Sequence, residues 1–365
     1  MDMYIRMYDE LKKSDEDNPT LYGIMGEVSP EEVQRCIDEN PDADAVVLPS
    51  PNYYGICSDI RAIAEIVHCA GKVLIVDQAH GAHLKFFHRY GFGDEMLQAA
   101  EMCGADLVVN SIHKTLASLT QSAVLNLQGN RVDRYKLEDK IQAIESTSLS
   151  YILMSFLDIN ADLLADHGRD AIGRWRKAVD WFYDNAAAVP GLNIVKTGSM
   201  DLTKINLDMS QLGIDGASLE RLLMKHDIFS ELYTGDILML MTGIGNSDGQ
   251  MRKTLQVLKE IAEKACMTEY GETEDSPFRR RALQVPEEGK LVGIPSEKEF
   301  VPLEQAAGRI CAASVIPYPP GIPFVCPGEV ITQDIVTYIK ALREEGEKVI
   351  GVNDRKQVLV GKPNS

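Results

Sequence analysis

The sequence predicts an α/β protein: a large domain built on a mostly parallel sheet, then a smaller α+β domain and a C-terminal domain. Three features predict it. Short apolar runs at 45–48, 73–76 and 107–109 alternate with amphipathic stretches, as strands and helices do in a sheet covered on both faces. Beyond residue 151 the pattern turns first helical and then mixed, with one alternating stretch at Thr203–Leu207. Between Met267 and Val285 the chain becomes polar and reads as a linker to a proline-rich last segment. The predicted divisions are 1–150, 151–270 and 271–365, the last including the linker.

The elements follow in order. Ser29-Pro30-Glu31-Glu32 is a helix start, with Ser as N-cap, Pro at the first position and Glu at the third; the helix should run to about Asn40. Ala45 to Leu48 is a buried strand stopped by Pro49. Asp59 to Ala70 is an amphipathic helix closed by Gly71. Val73 to Val76 is the next strand, Asp94 to Cys103 a helix closed by Gly104, Leu107 to Val109 the third strand and Ala123 to Leu127 the fourth. Arg131 to about Asn185 is largely helical, Gly216 to Lys225 and Met251 to Ala265 are helices, and Ile237 to Met241 is apolar. Pro317 to Pro323 is a rigid extended run.

A chain of 365 residues, 45% hydrophobic, can bury a sizeable core. Its net charge of −18 argues against a nucleic-acid or anionic-membrane surface, and no apolar run reaches membrane-span length. The seven cysteines include no CxxC pair, so neither a zinc site nor a disulfide framework is indicated; with no targeting segment, a cytoplasmic location is expected.

The chemistry concentrates at two strand ends. Asp77 closes one apolar run, and Lys114 follows another through Ser111-Ile112-His113, 37 positions later (114 − 77). Ligands gather at the C-terminal ends of parallel strands. A lysine amine and a buried carboxylate there are what a pyridoxal 5'-phosphate site needs: one for a Schiff base, the other to keep the ring nitrogen protonated. Ala79 is small enough for a flat ring to lie against it, and His80 would bond Asp77 or the cofactor. Ser111 and His113 are donors suited to phosphate; capping of the strand end is their alternative. Ser146-Thr147-Ser148 is a further hydroxyl cluster, with helix capping as its alternative. His83 reads as an ordinary core or loop histidine, and Asn52-Tyr53-Tyr54-Gly55 should border the same pocket.

Together these stretches resemble the Orn/Lys/Arg decarboxylases, pyridoxal phosphate enzymes of the aspartate-aminotransferase-like fold (fold type I). The resemblance runs through Ser50 to Gly55, Asp77 to His83, Ser111 to Gln121, Ser146 to Tyr151, Val301 to Glu304, and Ile316 to Glu329. It implies decarboxylation of arginine, lysine or ornithine to a polyamine-type amine. Lys114 would be the Schiff-base lysine, Asp77 the pyridinium partner and Ala79 the ring-face contact, with phosphate bound by Ser111 and His113. Thr147 and Ser148 would reach the cofactor from a neighbouring subunit, and Glu329 would lie near the substrate entrance of a dimer. Proton delivery to the substrate would fall to His113 or Lys114.

The sequence departs from the family pattern at Gln78, where Glu is usual, at Asn52, where Thr is common, and at Leu149, in place of Pro. The family's N-terminal portion, with a Gly-rich phosphate loop at a helix N-terminus, has no counterpart before Asn52. By analogy a seven-stranded sheet would lack three strands and leave both edges of the remaining four unpaired. The expectation is an enzyme half completed by a separately encoded N-terminal chain, in a homo- or hetero-oligomer. Its alternative is a catalytically silent, truncated paralogue serving as scaffold or regulatory subunit.

Overall fold

The computed structural model describes residues 24, 26–92, 98–196, 198–267, 289–318, 323–344 and 348–362. The chain divides into two compact units, Met1–Phe278 and Arg279–Ser365. The boundary falls within the polar stretch predicted as a linker, most of which lies outside the described residues.

The first unit opens with α1 (Pro30–Glu39). Its start is the predicted capping box: Glu32 N donates to Ser29 Oγ, and Ser29 N donates to the Glu32 carboxylate, both at 3.2 Å. Such a cap contributes about 1 kcal/mol. Strand β1 (Ala45–Pro49) is followed by α2 (Ile60–Cys69), whose N-cap Asp59 accepts from Ala62 N. Strand β2 (Val73–Asp77) and helix α3 (Leu84–Arg89) come next, then β3 (Leu107–Ser111), the short α4 (Ile112–Thr115) and β4 (Ala123–Leu127). These strands form one sheet in the order β1-β2-β3-β4, the first three parallel and β4 antiparallel to β3. Val46, Leu48, Leu74, Val76 and Val108 bury against Val33, Cys36, Ile63 and Val67 of α1 and α2.

One predicted helix is not found in its described part. Of the stretch from Asp94 to Cys103, residues 94–97 lie outside the described part, and the remainder makes only a single 3-10 turn, Ala100–Met102. The reason lies partly outside the segment: the Gln78 side chain takes the N–H of Ala100 at 2.6 Å, and the chain turns at Gly104 with φ +100°.

Helices α5 (Arg134–Ile144) and α6 (Tyr151–Ala186) fill the predicted helical region. A second, antiparallel sheet follows, made of β5 (Asn193–Val195), β6 (Lys204–Asp208), β7 (Leu232–Thr234) and β8 (Ile237–Met241) in the order β5-β6-β8-β7. It packs with α7 (Gly216–Met224) and α8 (Asp248–Met267). Trp175, Val179 and Phe182 of α6 share its core with Ile205, Leu207, Leu238 and Leu258.

The second unit pairs β9 (Lys298–Pro302) with β12 (Gln357–Gly361), and β10 (Ile316–Tyr318) with β11 (Lys348–Ile350), all antiparallel. Helix α9 (Gln333–Glu344) covers them through Ile335, Val336 and Ile339. The predicted extended run is thus a strand as far as Tyr318, and residues 319–322 lie outside the described part. Among the described residues no helix is long and apolar enough to cross a membrane, and no group of three or more His, Cys, Asp and Glu is placed to hold a metal.

Candidate active site

Strands β2 and β3 are parallel neighbours, with Asp77 opposite Val109, so their C-terminal ends lie side by side. Asp77 is the last residue of β2 and is exposed. Its Oδ1 accepts from Ala79 N at 2.9 Å, which turns the chain sharply away from the strand. Gly81 completes this turn. A Cβ there would meet Pro51 Cδ at 2.6 Å and Gln78 Cγ at 2.8 Å, so only glycine fits.

Lys114 rises from α4, one short turn beyond β3. Its Nζ lies 3.0 Å from His80 Nε2 and 5.9 Å from the centroid of the Tyr53 ring. Tyr53 and His80 stack at an angle, with centroids 4.3 Å apart. Burial holds the Lys114 amine below the usual lysine range; Asp77 and Glu231 oppose the shift, and Lys204 adds to it. His80 is pushed down to about 3, first by burial and then by the charges of Lys204 and Lys114. It is therefore neutral at physiological pH. Its Nδ1 is buried and has no hydrogen-bond partner among the described residues. Of the two partners expected for His80, Asp77 or the cofactor, Asp77 is not the one its ring meets; Nε2 meets the Lys114 amine.

The other predicted positions sort into three groups. Ser111 ends β3 and precedes α4, and its side chain makes no cap to that helix. His113 donates through Nδ1 to Ser122 O at 2.7 Å, tying the lysine turn to the start of β4. Ala79 is half-buried between Asp77 and His80. Thr147 and Ser148 lie in the exposed turn between α5 and α6, where Ser148 N donates to Ser146 Oγ. They do not join the hydrogen-bonded group around Lys114, and the N-cap of α6 is Ser150. Glu329 belongs to the second unit. There its buried carboxylate accepts from the backbone N–H of Gly289 and Cys326, at 3.1 and 2.7 Å.

Gln78 has a clear reason to be an amide. It is fully buried, and its Nε2 donates to Glu101 Oε2 and to Asn110 Oδ1, each at 2.9 Å. A glutamate at 78 would set two carboxylates against each other in a buried place.

A further group, not anticipated from local pattern, joins the lysine site. Lys204, the first residue of β6, is fully buried. Its Nζ donates to His80 O at 2.6 Å, to Asp201 Oδ2 at 2.9 Å and to Thr203 Oγ1 at 3.3 Å. His83 is also fully buried, with Nε2 3.1 Å from Asp201 Oδ2 and Nδ1 3.2 Å from Thr115 Oγ1. Burial alone would raise the Asp201 carboxyl, but the Lys204 ammonium and His83 hold it well below the usual carboxylate range. The only available signal was a Lys-Asn-Asp set on one face of a strand, which reads as an ordinary solvated face until both sides of the sheet are seen to be covered.

Comparison with known proteins places the chain. Residues 12–180 match the model of the Orn/Lys/Arg decarboxylase major domain, and residues 281–359 match that of the Orn/Lys/Arg decarboxylase C-terminal domain. An arginine decarboxylase of Halalkalibacterium halodurans is 32% identical over 348 residues, covering 92% of this chain and 68% of that protein. An arginine decarboxylase of Bacillus subtilis is 31% identical over 349 residues, with 91% and 68% covered. Among solved structures, the E. coli constitutive lysine decarboxylase superposes with a TM-score of 0.73 at 19% identity, covering 94% of this chain. The chain spans 62% of that structure's length. The fold is therefore the aspartate-aminotransferase-like one shared by these enzymes, and the chain belongs to the Orn/Lys/Arg decarboxylase family.

Proposed function

We propose that this chain takes part in the pyridoxal phosphate-dependent decarboxylation of a basic amino acid, arginine, lysine or ornithine, and that Lys114 and Asp77 are its reacting groups. One observation carries the reading. A half-buried amine with a lowered pKa stands at the end of β3, beside a neutral histidine, while the adjacent strand ends in a carboxylate open to a ligand. Family membership and the names of the relatives support it.

The residues present fit the cofactor. A lysine that must bond an aldehyde has to be a free amine, and burial favours that form of Lys114. Asp77 keeps a carboxylate at the opening, and Ala79 leaves room against the backbone. The unpartnered Nδ1 of His80 is a buried polar atom beside the amine.

Bound there, pyridoxal phosphate would supply the electron sink for loss of the substrate carboxyl. Lys114 would anchor it through Nζ, and Asp77 would hold a proton on its ring nitrogen. Ala79 would lie against the ring, with His80 beside it. Ser111 and His113 would hold the phosphate, joined by Thr147 and Ser148 of a neighbouring subunit. Proton return to the substrate would fall to Lys114 or His113; His80, pushed down to about 3 by burial and nearby cations, would carry no proton to give at neutral pH. Glu329 would lie toward the substrate side of an oligomer.

An oligomer is part of the proposal, with a separately encoded chain as one component. Two features support it. Among the described residues strands β1 and β4 are the sheet edges, with Val47, Val124 and Leu125 exposed. The first turns of α6 expose Tyr151, Ile152, Met154 and Ile159.

The test is borohydride reduction of the chain mixed with pyridoxal phosphate, alone and with co-expressed candidate partners, followed by peptide mapping. A label on Lys114, with CO2 release from one of the three amino acids, is the expected result. No label at Lys114 in any mixture would overturn the proposal and leave the scaffold reading.

A further inference from the structure

We propose that the buried Asp201–Lys204 pair, together with His83, is a positioning device that fixes the amine of Lys114 at both its tip and its base. The inference deepens the reading above, since it concerns the same amine, and it rests on that reading for its meaning in catalysis.

The geometry has two arms. One starts at Lys204, whose Nζ holds the backbone carbonyl of His80 at 2.6 Å. The ring of the same histidine then meets Lys114 Nζ at 3.0 Å, so the tip of Lys114 is held through one rigid residue. The other arm starts at Asp201. Its Oδ2 takes His83 Nε2 at 3.1 Å, and His83 Nδ1 meets Thr115 Oγ1 at 3.2 Å. Thr115 directly follows Lys114 in α4, so the base of the lysine is held as well. Ile244 N donates to Thr115 O at 2.9 Å, and the backbone of Gly243 packs on Thr115 closely enough that a Cβ there would lie 3.3 Å from its carbonyl oxygen.

The arms share a root and leave no freedom in it. All three ammonium hydrogens of Lys204 are matched, by His80 O, Asp201 Oδ2 and Thr203 Oγ1. Asp201 Oδ1 accepts from Thr203 N at 3.0 Å. His83 is held neutral by burial, and both ring nitrogens are engaged: Nε2 lies 3.1 Å from Asp201 Oδ2 and 3.3 Å from Thr203 Oγ1, and Nδ1 lies 3.2 Å from Thr115 Oγ1. Gly55 presses on the pair from above. At φ +92° its missing Cβ would lie 2.9 Å from both Lys204 Cβ and Asp201 O.

Stability alone does not account for such a pair. A buried ion pair replaced by well-packed apolar groups is often neutral or better for stability, so its presence points to something an apolar core would not do. Here that is twofold. A directed N–H grips the His80 carbonyl, and a fixed cation stands near a group that must shed its own proton. Lys204 indeed acts to lower both Lys114 and His80. The groups facing the amine are Asp77 from the end of β2, Glu231 from the loop before β7, His80, Lys204 and the Tyr53 ring. The two carboxylates work against release of the proton, and Lys204 works for it.

The test needs no turnover. Trace acylation of the full chain across a pH series, read by mass spectrometry at the peptide bearing Lys114, gives the titration midpoint of that amine. The variants are Lys204→Gln, which keeps a donor toward His80 O, and the charge-neutral double variant Asp201→Asn with Lys204→Met. Thermal melting shows which of them are folded. In each folded variant the midpoint should move up by roughly one pH unit, a roughly tenfold loss of free amine below it. The rate of borohydride-trapped labelling by pyridoxal phosphate should fall in parallel. A folded variant with the wild-type midpoint and labelling rate would overturn the positioning role. If unaltered chain takes no label at Lys114 while the midpoints shift as expected, the cofactor reading fails and the positioning role stands.

Discussion

The two four-stranded sheets of the first unit are covered very differently. Every residue of β6 is buried, in the centre of the second sheet, whereas β4, at the edge of the first, has its first three residues exposed. The proposed reacting groups stand on the open sheet, at the ends of β2 and β3. The residues proposed to position Lys114 lie at the start of β6 in the closed sheet, at Lys204, and just before it, at Asp201 and Thr203. The contrast teaches a division of labour. A reacting amine must be reachable, and reachable strand ends are poorly constrained. Geometry is therefore imported from a core where the Asp201 and Lys204 side chains are already hydrogen-bonded.

The sharpest way to break this comparison is at the open rim. In whatever assembly supports turnover by the unaltered chain, Lys114→Ala should abolish CO2 release, and Asp77→Ala should lower it by several orders of magnitude. Near-normal rates in either would remove the rim from the chemistry. The closed side should respond in stability. Trp175 is buried, donates from Nε1 to Thr242 Oγ1 at 2.9 Å and packs on the His83 ring with centroids 5.0 Å apart. Trp175→Ala should cost about 3–5 kcal/mol in denaturant unfolding. A loss under about 1 kcal/mol would mean that the second core is not the stiff element described here.

Acid should act on the closed side next. His80 and His83 both have folded-state pKa values below 6.5, so below that pH the unfolded chain binds protons that the folded chain does not. Asp201 adds to this at lower pH, since its folded value lies below the unfolded 3.8. The stability these groups contribute is full above pH 6.5 and drains away as pH falls from 6.5 toward 3. Melting temperature should drop through that window, and His83→Gln should flatten the drop; a melting curve insensitive to pH there would contradict the burial of the two rings. The smallest effect belongs to the open edge. Val124→Lys or Leu125→Lys should change stability by no more than about 0.5 kcal/mol. Either should reduce association in sedimentation experiments if that edge is covered by another chain.

Much of the open sheet was legible in the residues. Apolar runs of strand length, the Ser29 capping box and the placement of Asp77 and Lys114 at neighbouring strand ends all follow from local pattern and parallel topology. The closed side was not legible, for a physical reason. His83, Thr115 and Asp201 are joined across 118 positions (201 − 83), and no local periodicity encodes such a meeting. A lysine in an alternating strand looks like a solvent-facing residue, and only the cover on both faces of β6 makes Lys204 internal. The described part of the helix predicted at Asp94–Cys103 departs from expectation for a related reason, because a distant glutamine side chain claims the N–H of Ala100.

The bare ring nitrogen of His80 has a practical use. It is shielded from solvent and has no hydrogen-bond partner among the described residues, while its twin on the same ring touches the lysine. In a chain labelled with nitrogen-15 at histidine, that atom should resonate as a lone, slowly perturbed reporter. Any guest that reaches the lysine would alter its magnetic environment before a single turnover is counted.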